Sequence, residues 1–167
     1  MMLLANAALG LVQLVIAIIF AVVALYIGFL VLGWITKGID EEKELAQGNA
    51  AVGILVASVF IAIALVVQSG VSGLSVGINK ALSVGIFSAD GMVSLVIAVL
   101  QLLLGIILAI GGIYLALNIL DRLTKGISEF EELRKGNVAV ALEMAGVIIA
   151  VAVIIQTGVI GITAAIV

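Results

Sequence analysis

Glu143 is the residue of this sequence best placed for chemistry, because it is the only charged side chain inside four long apolar stretches. Asn118 is expected at the same depth if these stretches cross a bilayer, with Tyr114 on its helical face. We therefore expect a polar pair or small site there. Its alternatives are a structural carboxylate at the membrane surface, a contact between chains, and a proton or ion site. A cation such as Arg122 or Lys125 would neutralise the Glu143 carboxylate if its side chain reached it.

Four glutamines and a second tyrosine are the other polar side chains of interest in the apolar stretches. At about 1.5 Å per residue, the glutamines fall at one height near the outer edge of the hydrocarbon. They form either a ring of interhelical amide hydrogen bonds or four separate contacts with headgroups. Tyr26 and Tyr114 fall near mid-bilayer, where packing with a bonded hydroxyl is expected. The glutamines are Gln13, Gln68, Gln101 and Gln156.

The composition excludes most kinds of soluble protein and of active site. The chain has 167 residues, 65% hydrophobic and 10% charged, against about 25% charged residues in soluble domains. Its main solvent is therefore lipid. The absence of Cys and His removes thiolate and histidine catalysis and most metal sites. We expect no catalytic residues, no cofactor, no bound metal and no nucleic-acid partner, and we predict that the chain is not an enzyme.

The apolar stretches predict an all-α integral membrane protein with four transmembrane helices, since each stretch exceeds the roughly 20 residues of one span. Two charged hairpins, residues 36–48 and 121–136, hold six of the seven basic side chains, leaving only Lys80 elsewhere. The positive-inside rule then places both hairpins in the cytoplasm and both termini outside the plasma (inner) membrane. The stretches are residues 8–35, 49–71, 92–120 and 137–167.

The chain matches itself at a shift of 88 residues. Without a gap, 28 of the 66 positions from residue 13 to residue 78 are identical to their counterparts. This match predicts a tandem, parallel duplication of a two-helix hairpin, with repeats at 1–79 and 92–167 and an external connection at 80–91. The halves are then expected around a pseudo-two-fold axis, as a four-helix bundle. Residues 74–91 are too apolar for a solvated linker, which leaves an interfacial element or extended helices.

Each hairpin carries the pattern Glu-Leu, two residues, Gly-Asn before the next apolar stretch. Asn49 and Asn137 are predicted N-caps, and Gly48 and Gly136 permit the chain reversal before them. A short interfacial helix is expected in each hairpin, capped by Asp40 in one case and by Ser128 in the other. Structural capping and a docking surface for a cytoplasmic protein are both compatible with this pattern.

These motifs, at residues 44–52 and 132–140, carry a family resemblance. A two-span unit with a short charged loop and this Gly-Asn element resembles the YjfL-like family of small prokaryotic inner-membrane proteins. The resemblance covers both repeats and implies a duplicated domain of unknown function, found in an envelope context and sometimes linked to stress-response partners. It implies no catalytic residue.

Two functions remain in view from the sequence. The first is a non-enzymatic, self-assembling or scaffold protein, a homo-oligomer that presents its two hairpins to a cytoplasmic partner. The alternative is a small ion or proton channel or carrier that uses Glu143 and the membrane glutamines. The middle of each stretch is almost entirely Val, Ile, Leu and Ala apart from the tyrosines. This apolar layer favours assembly over conduction.

Overall fold

Six α-helices make up the described part of the chain. The computed structural model describes residues 2–36, 38–123, 126 and 128–166. Four helices are long and apolar enough to cross a membrane, as the composition predicts, and two short helices lie in the hairpins. In chain order they are α1 (Met2–Ile35), α2 (Glu41–Ala46), α3 (Ala50–Val84), α4 (Ala89–Leu123), α5 (Glu129–Arg134) and α6 (Val138–Ile166).

The two central helices extend well beyond the stretches read from hydropathy. Helix α3 continues to Val84 and α4 begins at Ala89, so residues 74–91 are helical apart from a four-residue turn. Gly85 in that turn has φ +96°, a conformation that favours glycine. The expected connection over 80–91 is therefore mostly helix. A 35-residue helix is about 52 Å long, which exceeds the roughly 30 Å of hydrocarbon.

Helix α3 is the centre of the packing. It contacts α1, α4 and α6, and α4 and α6 also contact each other. As a result α3 is buried along most of its length, whereas little of the apolar segment of α1 is fully buried. The described helices form a core of α3, α4 and α6, with α1 at its edge.

This arrangement corrects the expected pseudo-two-fold bundle. Two-fold symmetry requires α1 to pack on α6 as α4 packs on α3, yet among the described residues α1 makes no comparable contact with α6. The physical reason is that lipid tails are as apolar as leucine. An apolar helix loses little when lipid covers it, so no hydrophobic force closes the fourth side.

Two glycines bring α3 and α4 close together. A Cβ added at Gly70 would lie 2.5 Å from Cδ1 and 3.2 Å from Cα of Leu102, and one added at Gly77 would lie 2.4 Å from Cβ of Ala98. Missing side chains at these positions let the two backbones approach, which favours helix association in membranes. The α3–α4 contact is therefore specified by small residues facing Leu102 and Ala98.

Candidate functional site

The two hairpins lie against each other at one end of the molecule. Asn49 Nδ2 donates a hydrogen bond to the carbonyl oxygen of Leu133 at 2.9 Å, and Arg134 Nη2 donates to the carbonyl oxygen of Gly38. These bonds join residues 84 and 96 positions apart in the chain. We call residues 38–49 and 128–137 together the hairpin platform, because these contacts make them one surface.

A Glu–Asn pair fixes the start of the span that follows each hairpin. The Asn49 amide donates to Glu44 Oε2 at 2.7 Å, and its Oδ1 accepts from two backbone N–H groups in the first turn of α3. Asn137 does the same with Glu132, at 2.8 Å, and with the first turn of α6. Both asparagines thus lie at helix starts, as their sequence context predicts. The role of the two glutamates was missed, although the 88-residue match already repeats them.

The turns before these asparagines depend on glycine. Gly48 and Gly136 have φ +80° and +79°, in the left-handed region where a side chain is strained. Asp40 caps α2 by accepting from the backbone N–H of Lys43 at 3.0 Å. Ser128 stands at the N-cap of α5 without a side-chain cap bond, unlike its expected role.

Two glutamates of the platform are buried. Glu41 accepts a hydrogen bond from the Thr36 hydroxyl, and both residues are buried. Glu129, the counterpart of Glu41 in the 88-residue match, is buried as well. The sequence alone does not single out either carboxylate, because each lies in a run of charged residues that is typical of a solvated loop. The repeated spacing of Thr and Glu was the available signal; Thr124, the second threonine, lies outside the described residues.

Two charged side chains at the rim of the platform form an ion pair. Lys135 Nζ lies 2.7 Å from Glu132 Oε1. Hydrogen bonds from the Asn137 amide and from Lys135 hold the pKa of Glu132 below its ordinary value. The same contact with Glu132 raises the pKa of Lys135. Lys37 and residues 124–125 and 127 of the predicted hairpins lie outside the described residues.

The structure does not bring Glu143 and Asn118 together. Glu143 is exposed on α6, whereas Asn118 Nδ2 donates to the Tyr114 carbonyl oxygen of its own helix at 2.8 Å. No hydrogen bond joins Glu143 to another residue within the described part. The side chains of Arg122 and Lys125, the two cations considered for Glu143, lie outside it. The expected polar pair is therefore not formed, because Asn118 satisfies its amide within α4.

The glutamines and tyrosines also occupy separate places. Among the described residues no hydrogen bond joins two of the glutamines. Gln101 is buried between α3 and α4, 8% exposed, with no partner for Nε2 in the described part. Gln68 is exposed in a groove between α1 and α3, and Gln13 and Gln156 are half-buried. Tyr26 and Tyr114 are exposed rather than packed in the core, because the outer faces of α1 and α4 have no covering helix.

Comparison with known protein families identifies the chain. The family described as Domain of Unknown Function (DUF350) matches residues 5–110 and, in a second overlapping match, residues 94–167. The chain belongs to the DUF350 family. This membership confirms the family resemblance carried by the two Gly-Asn motifs, and two matches in one DUF350 chain are consistent with a duplicated domain. No curated protein and no solved structure gives a significant match.

Proposed function

We propose that this DUF350 protein is a non-enzymatic membrane protein that assembles with copies of itself and presents its hairpin platform to a protein partner in the cytoplasm. The two halves are tandem duplicates in this proposal. The 28 identities in 66 matched positions and the two family matches support the duplication.

The joined hairpins are the observation that carries the proposal. Asn49 and Arg134 each bond across from one hairpin to the backbone of the other, so the charged loops keep a fixed relative position. Loops held in this way form a surface of defined shape, which is what recognition by a folded partner requires. The membrane helices below supply a rigid apolar base.

A channel or carrier that works through Glu143 has less support. A conduction path needs polar groups that face one lumen. Here Gln101 is buried between two helices, Gln68 is exposed in a groove, and Glu143 is exposed on α6. Ion or proton flux through liposomes that contain the protein tests this alternative. Flux that Glu143→Gln abolishes without changing the particle mass would favour a channel over a scaffold.

The mass of the particle tests assembly directly. The full chain is released from native nanodiscs and weighed by native mass spectrometry. We expect a defined multiple of the 17.0 kDa chain. A particle that contains a single chain at every protein-to-lipid ratio would overturn the proposal.

The membrane orientation is tested with single cysteines, since the chain has none of its own. Gln47 is exposed on the platform, and Phe87, 96% exposed, lies in the turn at the other end. We expect a membrane-impermeant maleimide to label Phe87→Cys in intact cells and Gln47→Cys only after permeabilisation. The reverse pattern would place the platform outside.

A further inference from the structure

Corresponding positions of α3 and α6 differ sharply in burial. Val66 of α3 is 0% exposed, whereas its counterpart Ile154 of α6 is 71% exposed. The difference runs along one helical face at spacings of three and four residues. On α3 that face is buried throughout: Ala51, Leu55, Ser58, Ala62, Val66, Ser69, Gly73 and Gly77. On α6 we call it the open face, because every member is exposed: Ala139, Glu143, Gly146, Ala150, Ile154, Thr157, Gly161 and Ala165.

The contact that α4 makes with α3 has matching but unused parts elsewhere in the chain. Leu102 of α4 is 0% exposed where it lies on Gly70. Its identical counterpart on α1, Leu14, is 55% exposed. Gly158, the counterpart of Gly70 on α6, has no atom within 4 Å of an added Cβ. The chain thus holds a second leucine and a second glycine of this contact, which do not touch each other within one chain.

A second pair of positions supports the same match. In the contact between α3 and α4, Gly77 faces Ala98. The counterpart of Gly77 is Ala165 on α6, and the counterpart of Ala98 is Gly10 on α1. The second pair is therefore again one glycine and one alanine, but the alanine is on the helix that corresponds to α3 and the glycine on the one that corresponds to α4. Both are exposed, and nothing lies within 4 Å of a Cβ added at Gly10. The combined size of the pair, which decides how closely two helices approach, is therefore the same.

In the platform, the asparagine that corresponds to Asn49 has an amide hydrogen without a partner among the described residues. Asn49 donates one amide hydrogen to Glu44 and the other to the carbonyl oxygen of Leu133. The Asn137 amide donates to Glu132, and its second hydrogen has no partner among the described residues. The 88-residue match assigns that hydrogen to the carbonyl oxygen of Leu45, but within the described part of one chain the two are not hydrogen-bonded.

The groove beside the open face is large enough to receive side chains of another helix. It lies between α4 and α6, measures about 460 Å³, and is lined by apolar residues and by Gly158. Glu143 on the open face lies about 9 Å along the helix from Asn137. A carboxylate at this depth is unfavourable against lipid, and such side chains almost always face protein or water instead.

We propose that a second copy of this chain covers the open face: α1 and α3 of that copy pack on α6 as α4 and α6 pack on α3 within one chain. The interface is head-to-tail, so repetition gives a ring when the rotation closes and a filament when it does not. Leu14 lies on Gly158 of the neighbour, and Asn137 donates to the neighbour's Leu45. This interface rests on the self-assembly in the proposed function and names the surfaces that mediate it.

Disulfide cross-linking in the cysteine-free chain tests the interface. Leu14→Cys and Gly158→Cys are placed in separate, differently tagged copies, which are co-expressed and oxidised in the membrane. Within one chain the Leu102 Cα lies 3.2 Å from a Cβ at Gly70, so these two positions face each other in close contact. We expect a covalent dimer carrying both tags, at a yield several-fold above that of either variant alone.

Two controls match this pair. Gly70→Cys with Leu102→Cys in one chain should form an intrachain disulfide, which checks the geometry. Ile160 is exposed on α6 but lies two residues, about 200°, around the helix from Gly158. Leu14→Cys with Ile160→Cys should therefore give little dimer. Equal yields with Gly158 and Ile160, or no dimer with either, would overturn the interface.

The particle mass separates the two proposals. A multimeric mass without the Leu14–Gly158 cross-link leaves the self-assembly standing and rejects this interface. A single-chain particle rejects both.

Discussion

At the scale of residues, the two motif asparagines form the same local hydrogen bonds, but in the described part of the chain only Asn49 bonds to the other hairpin. Asn49 and Asn137 each cap a helix and bind the glutamate five residues earlier. Of the two, Asn49 alone also reaches a described residue of the other hairpin, Leu133. Sequence identity at these positions therefore hides a difference in tertiary contacts.

Asn49→Ala is expected to destabilise the single chain more than Asn137→Ala. Each change removes an N-cap, worth about 1 kcal/mol, and Asn49→Ala also removes a bond between hairpins, worth about 0.5–1.5 kcal/mol. Thermal unfolding followed by circular dichroism, in a detergent that keeps the chain monomeric, measures the difference. Equal losses would show that the bond to Leu133 contributes nothing.

Acid should weaken the second hairpin through Glu132. Its pKa is lower in the folded chain than the ordinary 4.5, first because of the hydrogen bond from Asn137 and then because of Lys135. A lowered folded pKa contributes stability that is present above the ordinary pKa and is lost as pH falls through the folded value. Unfolding measured from pH 7 downward should show this loss below about pH 4.5.

Glu132→Gln is the matched control for the acid effect. It removes the titrating carboxylate while keeping an amide oxygen that accepts from Asn137, so the difference in stability between the variant and the native chain should shrink as pH falls. A constant difference across the acid range would assign the effect to other carboxylates.

At the scale of elements, equal hydropathy accompanies unequal burial. Helices α3 and α6 are matched in sequence, yet α3 is enclosed by three helices and α6 keeps one face open. In lipid an uncovered apolar face has no hydrophobic free-energy cost, so hydropathy does not reveal which face of a helix is uncovered. The small residues and Glu143 on that face carry the signal instead.

Replacing each of two matched glycines by alanine should have unequal effects on the stability of the single chain. Gly70→Ala puts a Cβ 2.5 Å from Leu102 Cδ1 and should destabilise the single chain by about 1–3 kcal/mol through overpacking. Gly158→Ala meets open space, so the unfolding of the single chain should change little. Unfolding in monomeric detergent gives both values. A large loss for Gly158→Ala would mean that α6 packs internally through this face.

At the scale of the whole molecule, the described helices leave two different surfaces of the chain uncovered. One is the open face of α6, and the other is the exposed side of α1 with its half-covered groove on α3. A head-to-tail contact between unlike surfaces lets each copy join two neighbours. A copy that is blocked on one surface still joins through the other, and it then ends the series.

Mixing native chains with Gly158→Leu chains should therefore lower the mean particle mass. The variant keeps α1 and the platform, so it adds to an assembly but accepts no neighbour on α6. Native mass spectrometry of a one-to-one mixture in nanodiscs measures the shift. Ile160→Phe, about 200° around α6 from Gly158, should leave the mass distribution unchanged; an equal effect of both variants would point to a general loss of folding.

The sequence by itself determined the solvent, the number of spans, the two asparagine caps and the family. A long apolar run crosses lipid as an α-helix, because lipid offers no hydrogen bonds and a helix satisfies its backbone N–H and C=O groups within the segment. Gly-Asn before a span fixes its N-terminus locally, through bonds only a few residues long. Which helices touch was decided by the tertiary structure alone. Lipid and protein cover a valine equally well, so contacts such as Leu102 on Gly70, or the burial of Val66 beside the exposure of Ile154, follow from close packing and not from hydropathy.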